Sequence, residues 1–559
     1  MRRLLIGILL LGLAACGRGE PPPPDPDETT ARTIAQGDLV GFRSDNGAQV
    51  WRGVAFAAPP VGDLRWRAPR PAPAFEGRLE ALESPERCAQ MTIPLDQGEG
   101  VEAGQLVGSE DCLYLDVYAP ADAAPGDDLP VMVWIHGGGN TWGYAAQYDG
   151  AQLAEDQDVV VVAVQYRLGP LGWFANDALR ADAATPRDAA ANFALLDQIA
   201  ALEWVRDNID VFGGDAERVT IFGESAGGHN VYGLLASPLA DGLFHRAIVQ
   251  SGLTHSVPID EAMETTQARL GTAFDAAPTA ADLRAMELEA LFAAYEPAAD
   301  GRYELPTMIA DGVTLPPGGI EGALASSGPN APVITGTNRD ETRLFNLLDE
   351  RYARSWFGVL YTARDRDFYD VVADYQSRVW RIRAVDRPAT TMLEAGHSEV
   401  WAYRFDWDEG GRVLFMDLGF LLGAAHGVDI PFVFNHFDFF GRLDSALFNR
   451  GNAEGRAALA GAMGDYWAEF ARTGEPGRGG DPARPVWTRW QAGGLLMRFD
   501  SPDDGGPAEI IDGTDDLSRL AADLAVDERL EESERCAVAA AVAEWWAEDG
   551  AAVSAELGC

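Results

Sequence analysis

The sequence predicts an α/β fold in which helices flank a mostly parallel central sheet. Its composition, 47% hydrophobic and 23% charged over 559 residues, supplies apolar side chains for a large core. Helical stretches such as 192–208 alternate with short apolar runs rich in Val and Ile, a pattern typical of a doubly wound sheet. These runs are bounded by Gly, Pro or polar residues and predict strands buried on both faces: 131–135, 159–164, 219–222, 247–249 and 333–334.

The first 15 residues have the organisation of an export signal. Arg2 and Arg3 precede an apolar run at 4–13, which is shorter than the ~20 residues that cross a bilayer as a helix. Leu-Ala-Ala-Cys at 13–16 resembles a bacterial lipobox, which implies cleavage before Cys16 and acylation of that cysteine. An ordinary cleaved signal with a nearby cysteine is the alternative.

The segment at 16–32 is rich in proline and acidic residues, and it predicts a stiff spacer between the membrane and the fold. From 33 to 559 there is neither a linker nor an internal repeat, so we expect one domain. Gly17 follows the cysteine, which favours sorting to the outer membrane of a Gram-negative cell. We therefore expect an exported protein, held to a bacterial membrane only by lipid and facing the periplasm or the cell surface.

The charge balance excludes several classes of function. The chain carries 87 acidic and 43 basic residues, a formal net charge of -44. Such a surface repels phosphate backbones, so we expect no nucleic-acid partner. The sequence contains no lysine, and it therefore has neither a P-loop lysine nor an amine for a Schiff base.

Four cysteines remain once Cys16 is assigned to lipid, and four cysteines allow three pairings. The local pairing, Cys88–Cys112 and Cys536–Cys559, closes two short loops and suits an exported protein. Buried free thiols are the alternative, above all for the C-terminal pair.

The strongest chemical signal is Gly-Glu-Ser-Ala-Gly at 223–227. It follows the predicted strand at 219–222 and precedes a helical run at 230–235, which is the context of a nucleophile elbow. A tight turn of this kind exposes the hydroxyl of Ser225, and the start of the next helix offers free N–H groups to a developing oxyanion.

A second signal, His-Gly-Gly-Gly at 136–139, directly follows the predicted strand at 131–135. Loops of this type supply further oxyanion donors, because glycines let the backbone turn its amides inward. A flexible glycine loop is the alternative. A dinucleotide-binding motif is excluded, because Trp142 occupies the position of its third glycine.

A serine nucleophile needs a base, and the base needs an acid that orients it. In this fold the order along the chain is Ser, then Asp or Glu, then His. Asp340 and Glu341 follow the predicted strand at 333–334 and are the candidate acids. His397 and His436 are weaker candidate bases than His426, which lies in a loop of small residues, Gly-Ala-Ala-His-Gly at 423–427.

Several motifs together resemble the type-B carboxylesterase and cholinesterase-like family of the α/β-hydrolase superfamily. The resemblance runs from about Gly37 to near Gly474, and its motifs occur in the order typical of the family. Besides the two glycine motifs, they are Arg-Gly-Val-Ala-Phe-Ala at 52–57, Pro-Pro-Val-Gly at 59–62, Ser-Glu-Asp-Cys-Leu-Tyr-Leu at 109–115, Gln-Tyr-Arg-Leu-Gly at 165–169, Leu-Asp-Gln at 196–198, Phe-Gly-Gly-Asp at 212–215 and Gln-Ser-Gly at 250–252.

The resemblance implies a role for each matching position. Ser225 would be the nucleophile, Glu341 the acid and His426 the base, with Glu224 and Ser251 as supporting residues near His426. The remaining assignments are an oxyanion hole from the amides of Gly138, Gly139 and Ala226, an N-terminal disulfide Cys88–Cys112, and structural ion pairs Arg65–Glu110 and Arg167–Asp197.

Two positions depart from the family pattern. Asn140 replaces the aromatic residue that commonly follows the three glycines, and no Trp lies between Cys88 and Cys112. The aromatic residue that binds choline in cholinesterases therefore has no counterpart there, and choline esters are not expected substrates.

We expect a carboxylesterase, a serine hydrolase of small-molecule carboxylic esters that needs neither a metal nor an organic cofactor. The alternatives are a triad hydrolase of amides, carbamates or lactones and a non-catalytic adhesion protein of the same fold. The sequence does not specify an oligomeric state.

Overall fold

The predicted parallel sheet forms the centre of the molecule. The computed structural model describes residues 22–93, 103–271, 273–274, 276–295, 307–326, 328–356 and 360–559. Cys16 and the signal sequence lie outside the described residues.

The described strands are β1 Arg32–Ile34, β2 Gly37–Val40, β3 Phe42–Arg43, β4 Gln49–Ala55, β5 Arg78–Glu80, β6 Gln90–Met91, β7 Leu106–Val107, β8 Tyr114–Ala119, β9 Leu129–Ile135, β10 Val160–Val164, β11 Gly214–Glu224, β12 Arg246–Gln250, β13 Ser256–Pro258, β14 Met308–Ala310, β15 Val333–Asn338, β16 Ala353–Trp356, β17 Leu360–Ala363, β18 Val400–Phe405, β19 Arg412–Val413, β20 Met416–Asp417, β21 Leu495–Phe499 and β22 Glu509–Asp512.

The described helices are α1 Ala151–Gln157, α2 Gly169–Gly172, α3 Asp177–Ala181, α4 Phe193–Asn208, α5 Ala226–Ala236, α6 Ile259–Leu270, α7 Ala280–Arg284, α8 Leu288–Ala294, α9 Gly319–Ser326, α10 Arg343–Leu348, α11 Arg366–Arg381, α12 Arg387–Glu394, α13 Leu418–Leu421, α14 Ile430–Phe434, α15 Asp444–Leu447, α16 Ala453–Thr473, α17 Leu517–Val526, α18 Glu532–Trp545 and α19 Ala547–Leu557.

Within the described residues, 11 strands pair in the order β22-β21-β18-β15-β12-β11-β9-β10-β8-β4-β3. The strands from β21 to β10 run parallel to one another, and antiparallel strands flank them on both sides. Strands β15, β12, β11 and β9 are consecutive neighbours, so their carboxyl ends meet at one edge of the sheet. In open α/β sheets this edge is where ligands bind.

The all-apolar sequence of the central strands follows from their position. Every residue of β10 is buried, as are those of β9 after Leu129, because helices cover both faces of the sheet. The predicted strands agree with the observed ones in place, although β11 and β15 extend several residues beyond their Val- and Ile-rich cores.

The observed structure differs from the prediction at the end of the N-terminal spacer. Residues 28–30 already form a short helix in which Thr30 is buried and its carbonyl accepts a hydrogen bond from Trp51 Nε1 at 2.9 Å. The last residues of the predicted 16–32 spacer are thus part of the fold. Between α10 and α11, strands β16 and β17 form a hairpin.

Both structural ion pairs implied by the family resemblance are present. Arg65 Nη2 lies 2.5 Å from Glu110 Oε1. Arg167 Nη2 lies 2.7 Å from Asp197 Oδ1, and both side chains are fully buried. Removing one partner of such a pair leaves an uncompensated buried charge, so loss of either residue is expected to destabilise the folded state.

The cysteines pair locally, as Cys88–Cys112 and Cys536–Cys559. The second disulfide joins Cys536 on α18 to Cys559, two residues beyond the end of α19. These two helices, at 532–557, are called the C-terminal hairpin below. Among the described residues, every helix is too short or too polar to cross a bilayer.

Removing the second disulfide should loosen the C-terminal hairpin selectively. In Cys536→Ser/Cys559→Ser we expect a loss of roughly 3 kcal/mol of local stability, because the cross-link no longer restricts the unfolded loop. Native-state hydrogen exchange of the amides of α18 and α19 measures this loss. The matched control, Cys88→Ser/Cys112→Ser, should leave those amides unchanged, and equal exchange in both variants would contradict a local role.

Candidate active site

Ser225 alone forms the turn between β11 and α5. Strand β11 ends at Glu224 and helix α5 begins at Ala226, so the chain must reverse within one residue. Ser225 meets this demand with φ 59° and ψ -123°, a combination that non-glycine residues rarely adopt. Its N–H donates to the carbonyl of Gln250 at 2.9 Å, which fastens the turn to the end of β12.

Glycines around Ser225 make this turn possible. A Cβ at Gly223 would lie 2.5 Å from the carbonyl oxygen of Ile135, and a Cβ at Gly227 would also collide with that oxygen. The elbow therefore packs directly against the end of β9, and the Gly-x-Ser-x-Gly spacing reflects contact between two backbones.

Glu341 and His426 form a buried hydrogen-bonded pair. Glu341 Oε2 lies 2.5 Å from Nδ1 of His426, and the two side chains are 0% and 6% exposed. Glu341 lies between β15 and α10, whereas His426 lies in the loop between α13 and α14. Asn338 Nδ2 donates to the carbonyl of Ala425 at 2.8 Å and so ties the two loops together.

The second oxygen of Glu341 accepts three further hydrogen bonds. Its donors are Ser251 Oγ at 2.6 Å, Thr337 Oγ1 at 2.7 Å and the Asn338 N–H at 2.8 Å. These donors fix the orientation of the carboxylate towards the imidazole. Ser251, predicted as a supporting residue near His426, contacts the acid that bonds the imidazole.

Glu224 lies on the other side of the imidazole, with Oε1 3.3 Å from Nε2 of His426. Burial raises the pKa of Glu224 to about 8, against the opposing influence of His426. Burial also works against the charged form of His426, but the carboxylates of Glu224 and Glu341 outweigh it and raise the pKa of His426 to about 9. The two groups titrate as a coupled pair.

Sequence reasoning missed a third buried carboxyl group, that of Asp429. It accepts hydrogen bonds from Gln250 Nε2 at 2.8 Å, Tyr403 OH at 3.1 Å and Asn338 Nδ2 at 3.2 Å. Burial and the nearby Glu341 carboxylate raise the pKa of Asp429. Only its position three residues after His426 distinguished it among 87 acidic residues.

The three predicted oxyanion donors lie at the ends of β9 and β11. Gly138 and Gly139 have φ of 95° and 60°, and a Cβ at Gly138 would collide with the Trp142 carbonyl. Ala226 is the first residue of α5, where N–H groups have no partner within the helix. None of these three N–H groups donates a hydrogen bond to another described residue.

Two aromatic rings that sequence reasoning did not single out pack on His426. Trp380 lies 4.8 Å and Phe345 5.3 Å from the imidazole, measured between ring centroids. Trp380 Nε1 donates to the carbonyl of Ser251 at 3.2 Å, so this ring is held by a residue that also orients Glu341.

Among the described contacts, none of the alternative candidates takes part in the acid–imidazole pair. The carboxylate of Asp340 is paired with Arg339 and Arg343 rather than with a histidine. His397 follows α12, where its N–H donates to the Met392 carbonyl, and His436 follows α14, where its N–H donates to the Pro431 carbonyl.

The structure joins two of the three predicted triad members directly. The hydroxyl of Ser225 has no hydrogen-bond partner among the described residues, while its chain neighbour Glu224 contacts the imidazole nitrogen that would face it. Bonds between a nucleophile and its base are often longer before substrate binds. Across the described ranges, no three His, Cys, Asp or Glu side chains are arranged to hold a metal ion.

Comparison with known proteins finds the same architecture and family. The model of the carboxylesterase family matches residues 28–356. The para-nitrobenzyl esterase of Bacillus subtilis (strain 168) is 33% identical over 79% of this chain and 90% of its own, and the cocaine esterase of Homo sapiens is 32% identical over 86% of this chain and 89% of its own.

Solved structures extend the likeness to three dimensions. A structure of PNB esterase superposes with a TM-score of 0.70 at 30% identity, covering 88% of this chain and 99% of the other. A carboxylesterase of Geobacillus stearothermophilus gives a TM-score of 0.68 at 29% identity with the same coverage. The expected α/β-hydrolase fold is confirmed, and the chain belongs to the carboxylesterase family, whose members are hydrolases of carboxylic esters.

Proposed function

We propose that this carboxylesterase uses Ser225, His426 and Glu341 as a catalytic triad that passes through an acyl-enzyme. The observation that carries the proposal is the buried His426–Glu341 pair beside a strained serine at the end of β11. An acid that bonds Nδ1 fixes the tautomer of the imidazole and leaves Nε2 to act on the serine hydroxyl.

In the acylation step, Ser225 Oγ attacks the ester carbonyl and its proton passes to Nε2 of His426. The resulting imidazolium is stabilised by Glu341 and then donates that proton to the leaving alcohol. Water repeats the sequence on the acyl-enzyme, which releases the carboxylic acid and restores the serine.

The negative charge of each tetrahedral intermediate would be met by the amides of Gly138, Gly139 and Ala226. These N–H groups have no acceptor among the described residues, and the positive end of α5 lies behind one of them. Fixed donors of this kind require no reorganisation during the reaction, and each one contributes roughly 3 kcal/mol to the barrier reduction.

The names of two relatives, para-nitrobenzyl esterase and cocaine esterase, support an ester as the substrate. Amides, carbamates and lactones contain the same electrophilic carbonyl and could react by the same steps. We assign esters as the main class because the family and both relatives are esterases.

Replacing the nucleophile tests the triad. We expect wild type to react covalently with a fluorophosphonate probe, and Ser225→Ala to lose both this labelling and nearly all ester hydrolysis, because no other hydroxyl lies at the elbow. Mass spectrometry of the labelled peptide identifies the modified residue. As a control, Ser326→Ala changes an exposed serine and should label fully; equal labelling of Ser225→Ala would refute the assignment.

The carboxylates around His426 predict an unusual pH profile. The imidazole acts as a base only when neutral, so a pKa of about 9 for His426 shifts the acid limb of kcat/KM above the ordinary histidine value of about 6.5. We expect kcat/KM for p-nitrophenyl butyrate to rise between pH 7 and 9. The variant Glu224→Gln removes a carboxylate that raises the pKa of His426, so it should move the acid limb of kcat/KM to lower pH.

The control for this profile is Glu217→Gln, which removes the same charge at an exposed position beside His245. Its acid limb should coincide with that of wild type. A Glu224→Gln limb that stays in place or moves to higher pH would contradict the proposed influence of Glu224 on His426.

We further propose that Cys16 carries a lipid anchor, as the lipobox-like sequence indicates. Cys16→Ser should release the protein from sedimented membranes, because no other acylated residue would remain, while the kcat/KM of the folded enzyme stays unchanged. Ultracentrifugation of cell extracts followed by an esterase assay measures both. Persistent sedimentation of the variant would count against lipidation.

A further inference from the structure

The C-terminal hairpin brings an aromatic side chain to the group of rings around His426. Trp545, the last residue of α18, lies 4.9 Å from Phe345 and 6.0 Å from Trp380, measured between ring centroids. Phe345 and Trp380 are the two rings that contact the imidazole. We call Phe345, Trp380 and Trp545 the aromatic wall.

The wall is partly open to solvent. Trp380 is nearly buried, whereas Phe345 and Trp545 are only half-buried, so part of each of these two residues is exposed to solvent. Aromatic side chains contribute much of the energy of binding surfaces, because each buries a large apolar area on contact. Phe345 contacts the imidazole that must act on every reacting ester.

The C-terminal hairpin is firmly fixed to the helix that carries Trp380. Gln376 Nε2 on α11 donates to the carbonyl of Ala541 at 2.9 Å. Arg383 and Arg387, which follow α11, each lie 2.8 Å from a different oxygen of the buried Asp549 on α19. These contacts determine where α18 ends, and hence where Trp545 lies.

The two helices of the C-terminal hairpin also hold each other closely. A Cβ at Gly550 would collide with Ala543, so α18 and α19 are in direct backbone contact. The Cys536–Cys559 disulfide closes their open ends. The hairpin that carries Trp545 is therefore held by backbone packing near its closed end and by a covalent cross-link at its open end.

We propose that Trp545 determines substrate specificity by forming the outer face of a subsite for a flat aryl group of the ester. The proposal rests on the triad proposed above. An ester whose carbonyl is attacked by Ser225 must reach Nε2 of His426, and a planar substituent can then stack on the half-buried rings beside it. Aromatic rings favour such offset or edge contacts beyond simple burial.

The test compares esters that differ only in one aryl group. Methyl benzoate against methyl butyrate examines the acyl half, and benzyl acetate against ethyl acetate examines the alcohol half, all followed by pH-stat titration. In Trp545→Ala we expect kcat/KM for the aryl ester of one pair to fall roughly three- to tenfold, mainly through KM, and that of its alkyl partner by less than about twofold. The pair that changes identifies the half of the ester that the wall binds.

Two further variants separate specificity from structure. Trp545→Phe keeps a ring and should retain most of the aryl preference. Trp356→Ala removes an exposed tryptophan at the tip of the β16–β17 hairpin and should leave both ratios unchanged. The aryl-to-alkyl ratio is independent of the fraction of enzyme that folds, so a poorly folding variant still reports on the wall.

Equal losses for aryl and alkyl esters in Trp545→Ala, or unchanged ratios in both pairs, would overturn the proposal. If wild type hydrolyses none of the four esters while Ser225 still reacts with a fluorophosphonate, the ester assignment fails instead. The two failures are therefore distinguishable.

Discussion

The hydrogen bond between the buried Glu341 carboxylate and the His426 imidazole fixes the arrangement on which the rest of the site depends. It joins two loops about 85 positions apart in the chain, and Glu341 is itself held by three donors, one just after β12 and two at the end of β15. Since β15, β12, β11 and β9 are neighbours, the acid, its donors, the serine and the oxyanion amides meet at one sheet edge. A displacement of any one of these strands would disturb all of them.

The parts of the site that could be predicted from sequence are those that a local backbone constraint imposes. The turn at Ser225 and the loop after β9 need glycines at fixed spacing, because the two backbones touch there. Side chains that meet only through tertiary packing have no fixed spacing or motif in the sequence. Asp429 resembles any other acidic residue, and Trp545 follows Ser225 by 320 positions in a helix with no motif. The choice between Asp340 and Glu341 required the family resemblance, since both follow the same strand.

The same distinction applies to the fold. Strands buried on both faces contain runs of Val, Ile and other apolar residues, and these runs located β9, β10, β11, β12 and β15 in the sequence. The β16–β17 hairpin has exposed residues on its first strand and lies at the surface, so its pattern did not separate it from the helical residues around it. The N-terminal spacer was predicted to end at residue 32, which is too far along the chain. Thr30 is already buried, and its carbonyl accepts a hydrogen bond from Trp51, a contact that no sequence pattern indicates.

Three buried carboxyl groups near one imidazole have opposite effects on the base before and during the reaction. Negative charge from Glu224 and Glu341 stabilises the imidazolium that forms when Ser225 loses its proton, which lowers the barrier. The same charge favours the protonated form of His426 by raising its pKa, which reduces the fraction able to act as a base. Because burial lets Glu224 take up a proton itself, its charge disappears as pH falls, and this limits the second effect. Below the pKa of Glu224, a titratable neighbour therefore leaves more of His426 neutral and able to act as a base than a permanently charged one would.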